Sequence, residues 1–460
     1  MLSRIHSRVL SLLLLESILT CACGIAAVQI RFGSDASDLL VRGRGLLKIL
    51  LMIVVTQTSF YLFDLYEFRE IRKRGVLYVR TLQALGLSSI VLALVFYVFP
   101  EMLFGRGVYL ISLLFMLSTM ILWRVVVIWL LGHPRLAERV LILGTESNAI
   151  ELAREALDRP EQGYKIVGFV GDDPSLVGQS LINPCVLGLT ADLQEIVNQH
   201  HVDRIVLAIN ERRGRMPLDS LIEMKLRDGV VIEESDSFFE RLTGKVRTGT
   251  LRPSWLIFSR PSRRIVFYGQ LRRLLDVSLS IIGLILSLPI MALTAIAIKL
   301  DSRGPILYRQ TRVGQSNREF TIMKFRSMRV DAEPEGPVWA EENDPRVTRI
   351  GRIIRTLRID ELPQFVNIIR GEMAFVGPRP ERPEFVAQLE RDIPHYSQRH
   401  LVKPGLTGWA QIRYPYCASV QDAIQKLQYD MYYIKNQSLL LDVITLVATV
   451  KIVLFGRGAR

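Results

Sequence analysis

Four apolar runs fill the first third of the chain, at residues 10–30, 46–66, 81–99 and 108–131. Each approaches the ~20 apolar residues that a helix needs to cross a bilayer. The first is too long for the apolar core of a signal peptide, and no small-x-small cleavage site follows it, so it is expected to stay on the chain. From Arg139 the texture changes to short apolar runs: Arg139-Val-Leu-Ile-Leu-Gly144, Lys165-Ile-Val-Gly-Phe-Val170, residues 203–209 and 230–232. Helical periodicity at 148–157, 191–200 and 218–227 separates them. Strands that alternate with helices predict a parallel α/β sheet. A fifth apolar run, 274–300, is interrupted by Ser287-Leu-Pro289. The pattern divides the chain into a membrane bundle (1–135), a Rossmann-like α/β domain (136–258) and a mainly helical domain (259–460).

The placement of charge refines this picture. Arg4 and Arg8, the loop with Arg69, Arg72, Lys73, Arg74 and Arg80, and Arg135 with Arg139 put both ends of the bundle and its middle loop inside. Arg31, Arg42 and Arg44 in the first outer loop run against that orientation. Glu16 and Arg124 lie in the spans; Glu16 is expected to face the bundle interior and Arg124 to snorkel toward the interface. Around 274–300 both flanks are strongly basic, with Arg260, Arg263, Arg264, Arg272 and Arg273 before it and Arg303, Arg309 and Arg312 after it. A spanning helix favours asymmetric flanks. With a proline near its middle, the run reads as a re-entrant helix that enters and leaves one leaflet; a kinked fifth span is the alternative.

The formal charge of +13 favours anionic partners. The apolar runs direct that preference to lipid and phosphorylated substrates, not nucleic acid. Cys21, Cys23, Cys185 and Cys417 have neither zinc nor disulfide spacing. The first strand-to-helix turn, Gly144-Thr-Glu-Ser-Asn-Ala149, keeps only the first glycine of a dinucleotide fingerprint. Glu146 would repel a diphosphate, so the domain reads as a scaffold or regulatory element. Such a domain on a membrane bundle could also mediate a homodimer.

The chemistry concentrates near residue 360. In 349–358, Ile350, Ile353, Ile354 and Leu357 follow helical spacing among Arg349, Arg352, Arg355 and Arg358, which predicts a cationic amphipathic helix suited to a headgroup region. Asp360 and Glu361 follow it, and Pro363 opens the next helix. A helix N-terminus and arginines one helix back favour an ionised Asp360. A carboxylate can attack phosphorus beside a divalent metal. Its neighbour can hold Mg²⁺, which takes oxygen ligands and substrate phosphates. A simple helix cap is the alternative for the pair. The last apolar stretch, 439–455, is short for a span and reads equally as an interfacial or a buried helix.

Several segments resemble the bacterial sugar transferase family, the polyprenyl-phosphate hexose-1-phosphate transferases. They are Gly304-Pro-Ile-Leu-Tyr-Arg-Gln-Thr-Arg-Val-Gly314, Met323-Lys-Phe-Arg-Ser-Met328, Leu357-Arg-Ile-Asp-Glu-Leu-Pro-Gln364, Val376-Gly-Pro-Arg-Pro380, Val402-Lys-Pro-Gly-Leu-Thr-Gly-Trp409 and Tyr429-Asp-Met-Tyr-Tyr-Ile-Lys-Asn436. The resemblance covers about 271–455, and the first two domains look like those of the larger, exopolysaccharide-initiating members. It implies a monotopic catalytic domain at the cytoplasmic face of a bacterial inner membrane. It also implies a UDP-sugar donor, with glucose or galactose expected, and a polyprenyl phosphate acceptor. Asp360 would be the nucleophile and Glu361 the Mg²⁺ ligand. Arg355 and Arg379 would bind phosphate, with Ser287 and Pro289 at the membrane-helix break. Lys324 and Arg326 are further phosphate candidates, with surface ion pairing as the alternative. Arg358 departs from the smaller or neutral residue expected there. A membrane-anchored nucleotide-sugar dehydratase or epimerase would need the glycine fingerprint and a Tyr-x-x-x-Lys pair, and both are absent. A catalytically dead scaffold would not need Asp360, Glu361, Arg355 and Arg379.

Overall fold

The computed structural model describes residues 2–41, 45–66, 74–102, 105–131, 137–209, 216–247, 264–332, 344–414 and 419–455. The basic residues at 69–73, the expected domain boundary at 258/259 and Cys417 lie outside the described residues. The chain forms two compact units, Met1–Thr243 and Gly244–Arg460.

The first unit begins with helices α1 (Leu2–Phe32), α2 (Ala36–Val41), α3 (Gly45–Leu62), α4 (Arg74–Val98) and α5 (Arg106–Leu131). Four of them contain stretches long and apolar enough to cross a membrane. Cys23, Met52, Phe60, Leu85 and Met116 share one core. Arg124 does not snorkel. It is fully buried, 2.8 Å from Glu16, and Tyr66 donates to the other Glu16 oxygen at 2.7 Å. A charge in an apolar surround is tolerable when paired, and Glu16 supplies the pair within the bundle.

The α/β part follows as β1 (Glu138–Leu143), α6 (Ser147–Leu157), β2 (Tyr164–Gly171), β3 (Val186–Leu189), α7 (Leu193–His200), β4 (Arg204–Leu207), α8 (Leu218–Arg227), β5 (Val231–Glu234) and α9 (Ser235–Thr243). The strands are parallel in the order β3-β2-β1-β4-β5. Successive side chains of a strand point to opposite faces. Val140 and Ile142 therefore pack with α6 and α9. Leu141 and Leu143 pack with α7 and α8. At the turn after β1, Gly144 has φ +131°, and a Cβ there would lie 2.9 Å from the Ala208 carbonyl.

The second unit starts with α10 (Arg264–Asp301), then the antiparallel hairpin β6 (Leu307–Val313) and β7 (Glu319–Phe325). Next come α11 (Arg349–Thr356), a 3-10 segment Ile359–Gln364, α12 (Phe365–Arg370), β8 (Ala374–Val376) and α13 (Pro383–Asp392). A second 3-10 segment, Tyr396–Leu401, leads to β9 (Gly405–Thr407), α14 (Trp409–Arg413), α15 (Val420–Lys435) and α16 (Leu439–Phe455). The α10 segment is helical through Pro289, so the expected interruption at Ser287 and Pro289 does not end it. The proline removes one backbone donor, and the flanking apolar turns have no partners for their backbone groups other than the helix itself. Ser287 turns its hydroxyl back to the Leu284 carbonyl at 3.2 Å. On α16, Leu440, Val443, Val447 and Val450 are all exposed, which leaves an apolar face suited to a membrane interface.

Candidate active site

The sequence around 358–365 folds as two short helices instead of one continuous helix. Arg358 takes φ +57°, which stops α11 and turns the chain into the 3-10 segment that holds Asp360 and Glu361. Pro363 lies inside that segment, so the dyad sits one turn ahead of α12. Asn367 on α12, fully buried, ties the dyad to β7. It accepts from the Met323 amide at 3.1 Å and donates to the Thr321 carbonyl at 2.7 Å. Lys324, the next residue of β7, thereby meets Glu361, its Nζ 3.1 Å from Oε1. Arg379 reaches the same oxygen at 3.1 Å.

Electrostatics separates the two carboxylates. Burial, reinforced by Glu361, pushes Asp360 above the usual carboxylate range, against the pull of Lys324, Arg355 and Arg358. The arginines were expected to dominate; burial of Asp360 to 7 % exposure reverses the balance. Burial also disfavours ionised Glu361, but Lys324, Arg379 and Arg358 outweigh it and hold Glu361 far below the carboxylate range. Burial in turn lowers Lys324, with Glu361 opposing that shift.

Asp360 opens on a cavity of about 480 Å³. Ten arginines and lysines line it, against two acids, Asp360 and Glu381. Such a wall suits a ligand with more than one negative charge. Arg355 lines it, and its guanidinium makes no hydrogen bond or ion pair among the described residues, so its fork remains available to a ligand. Arg326 also lines the cavity, but its guanidinium is committed. It donates to the Arg303 carbonyl at 2.9 Å and to the carbonyl and hydroxyl of Ser302, each at 2.8 Å. Gly304 permits that approach, since a Cβ there would lie 1.9 Å from Arg326 Nη1. Arg326 thus closes the exit of α10, and Lys324 is the member of the pair that meets the dyad. Ser287 and Pro289 lie in the middle of α10, and neither lines this cavity.

Two motifs distant in sequence prove to be one construction. β8 and β9 pair in parallel, and the Gly377 amide donates to the Thr407 carbonyl at 2.8 Å. A Cβ on Gly405 would lie 2.1 Å from the Gly377 amide nitrogen. The glycines of Val376-Gly-Pro-Arg-Pro380 and Pro404-Gly-Leu-Thr-Gly408 let the two backbones touch, and the contact presents Arg379 to Glu361.

Residues 267–456 match the family model described as bacterial sugar transferase, and 61–229 match one described as a CoA-binding domain. An exopolysaccharide production protein PSS of Rhizobium leguminosarum bv. phaseoli is 39% identical over 186 residues, 39% of this chain and 93% of that one. The chain belongs to the bacterial sugar transferase family. A UDP-N-acetylgalactosamine-undecaprenyl-phosphate N-acetylgalactosaminephosphotransferase of Aeromonas hydrophila is 46% identical over 221 residues, 48% of this chain and 52% of that protein. An undecaprenyl-phosphate glucose phosphotransferase of Komagataeibacter xylinus is 33% identical over 366 residues, 75% of this chain and 65% of that protein. The chain thus spans about half to two thirds of the length of these two relatives. A solved structure of RSP in complex with beta-NADH matches at 16% identity with a TM-score of 0.21, over 42% of this chain and 93% of its own, too loosely to bear on the fold or a ligand.

The sequence motifs singled out Asp360 and Glu361 but not most of the cavity wall. Arg312, Arg346, Arg382 and Arg399 line it from four separate elements and loops. In a chain with 58 lysines and arginines, basicity alone did not single them out.

Proposed function

We propose that the protein transfers a hexose-1-phosphate from a UDP-sugar to a polyprenyl phosphate in the bacterial inner membrane, working at its cytoplasmic face. The observation that carries this reading is a buried Asp360 in a cationic cavity, beside a Glu361 held ionised by Lys324 and Arg379. A carboxylate oxygen of Asp360 attacks the sugar-bearing phosphorus. The bond from that phosphorus to the bridging oxygen breaks, and UMP leaves with the electron pair. Asp360 is then an acyl phosphate bearing the sugar. A phosphate oxygen of the polyprenyl acceptor attacks the same phosphorus, releases Asp360 and yields the polyprenyl-diphosphate sugar. Arg355 and Arg379 orient the phosphates by forked hydrogen bonds.

The dyad is chemically suited to Mg²⁺. Among the described residues no group of three or more His, Cys, Asp or Glu could hold a metal, but Mg²⁺ commonly takes one or two carboxylates and completes its shell with substrate phosphates and water. Glu361 Oε1 serves Lys324 and Arg379, so Oε2 and the Asp360 carboxylate would be the protein ligands. When bound, the ion would neutralise charge on the donor diphosphate.

Measured UMP release in nanodiscs tests this proposal, with Mg²⁺, undecaprenyl phosphate and UDP-linked glucose, galactose, N-acetylglucosamine and N-acetylgalactosamine. One productive donor is expected; release from none of them sinks it. The pH profile is a second expectation. Attack requires ionised Asp360, whose proton is held more tightly than in an ordinary aspartate of pKa 3.8. The acid limb of kcat should therefore lie above that value. An acid limb at or below it would contradict the role of burial.

The re-entrant reading of α10 has support in its attachments. Near its start, Arg273 donates to the Ile368 and Ile369 carbonyls at 2.6 and 2.7 Å. At its end, Asp301 accepts from the Ile350 amide at 3.2 Å. Both ends are thus held by one domain, while Ile285, Leu286 and Leu288 between them are exposed and apolar. A straight helix of this length would reach about 57 Å. In a cysteine-free background, Gln270→Cys and Arg303→Cys are expected to react with an impermeant maleimide from the same side of sealed vesicles. Labelling from opposite sides would make α10 a span.

A further inference from the structure

The turn that carries Arg379 has no secondary structure beyond β8, yet its side chain must meet Glu361 within hydrogen-bond distance. Two guanidinium groups, the half-buried Arg272 and the buried Arg399, grip its backbone. At one end Arg272 and the Tyr433 hydroxyl both donate to the Val376 carbonyl. At the other, Arg399 Nη2 donates to the carbonyl of Arg379 itself at 3.0 Å. Arg399 is only 5 % exposed, and its own position is heavily determined. The same Nη2 lies 2.9 Å from Asp430 Oδ2, Nη1 donates to the Tyr396 hydroxyl, and the guanidinium sits 5.1 Å from the Tyr396 ring centroid. Asp430 and Tyr396 are themselves buried on α15 and on the 3-10 segment.

We propose that Arg399 is a positioning residue, which Asp430 and Tyr396 fix in place so that it holds the Arg379 carbonyl and sets the reach of the Arg379 side chain to Glu361 and the donor phosphate. The donor part of this statement rests on the transferase reading; the structural part does not. A guanidinium in a backbone clamp is not replaceable by an ammonium. Lysine can keep the charge beside Asp430 but lacks the planar fork that serves Asp430, Tyr396 and a carbonyl together. Displacement of a phosphate-orienting group by about 1 Å can cost on the order of 100-fold in rate. The clamp also joins α15, by way of Asp430, to the turn that faces the dyad, although α15 contributes no residue to the dyad itself.

The test uses the full chain in nanodiscs and two readouts. Amide hydrogen exchange is expected to speed up over residues 376–380 in Arg399→Lys while β7 exchanges as in the wild type. In UMP release, Arg399→Lys is expected to lower kcat/KM by about tenfold or more. In an Arg379→Ala background the same change is expected to cost less than about twofold, because the group it positions is gone. Losses that multiply in the double variant, or unchanged exchange at 376–380, would overturn the proposal. Where Arg399→Lys does not fold, Tyr396→Phe keeps the ring and removes one acceptor, and the same two measurements apply with smaller shifts. A wild type that releases no UMP sinks the transferase reading, and the exchange result still decides the clamp.

Discussion

Asp360→Asn is expected to reduce sugar-phosphate transfer by about 10⁴-fold or more, the scale seen when an activated nucleophile is removed. The change swaps one oxygen for a nitrogen at nearly constant volume, so the loss should be chemical. Stability supplies the control. Burial and the neighbouring Glu361 disfavour the charged form of Asp360. An aspartate whose folded pKa is raised above its unfolded value lowers native stability as the pH rises through that interval, because the unfolded chain gives up the proton first. The neutral asparagine escapes this penalty at pH 7 and should melt no lower than the wild type. Incubation with a donor labelled in the sugar, without acceptor, separates chemistry from binding. The wild type should retain covalent label and Asp360→Asn should not. Turnover within tenfold of wild type, or label retained by the variant, would remove Asp360 from the mechanism.

The architecture was largely legible because its signals are long. Runs near twenty apolar residues mark the helices of the first unit, and alternation of short apolar strands with amphipathic helices marks the α/β sheet. β3 escaped because Val186-Leu-Gly-Leu189 is four residues long and contains a glycine. The dyad was legible as a motif, but its surroundings were not. Arg124 and Arg326 show why: each looked like a cation in search of water or phosphate, and each is buried by a partner distant in the sequence, Glu16 and Ser302. Arg358 is the local counterpart. Helical spacing ran straight through it, whereas its left-handed backbone ends the helix and turns Asp360 toward the cavity wall. Long-range pairing and single-residue backbone reversals leave no periodicity to read.

Glu361→Gln should be the second most damaging change, and here activity and stability are expected to fall together. Wild-type Glu361 puts one oxygen between Lys324 and Arg379, at 3.1 Å from each, with its side chain only 12 % exposed. Glutamine keeps the shape but leaves both cations without their counter-charge. Unpairing a buried charge typically costs about 3–5 kcal/mol. Lys324 and Arg379 are partly exposed, so a loss of about 2 kcal/mol is the expectation at neutral pH. The sign follows from the depressed pKa of Glu361. Its contribution is complete above the unfolded value of 4.5 and fades only as the pH falls toward the much lower folded value. The stability gap between wild type and variant should therefore close in acid. Transfer should fall by about 10²–10³-fold, as expected when a carboxylate that orients phosphates through arginine and metal is lost. Adding Lys324→Met removes one stranded cation. The pair Glu361→Gln/Lys324→Met should recover thermal stability relative to Glu361→Gln alone without recovering UMP release. Recovery of both would mean that Glu361 acts only to neutralise Lys324, and the dyad would then reduce to a single working carboxylate, Asp360.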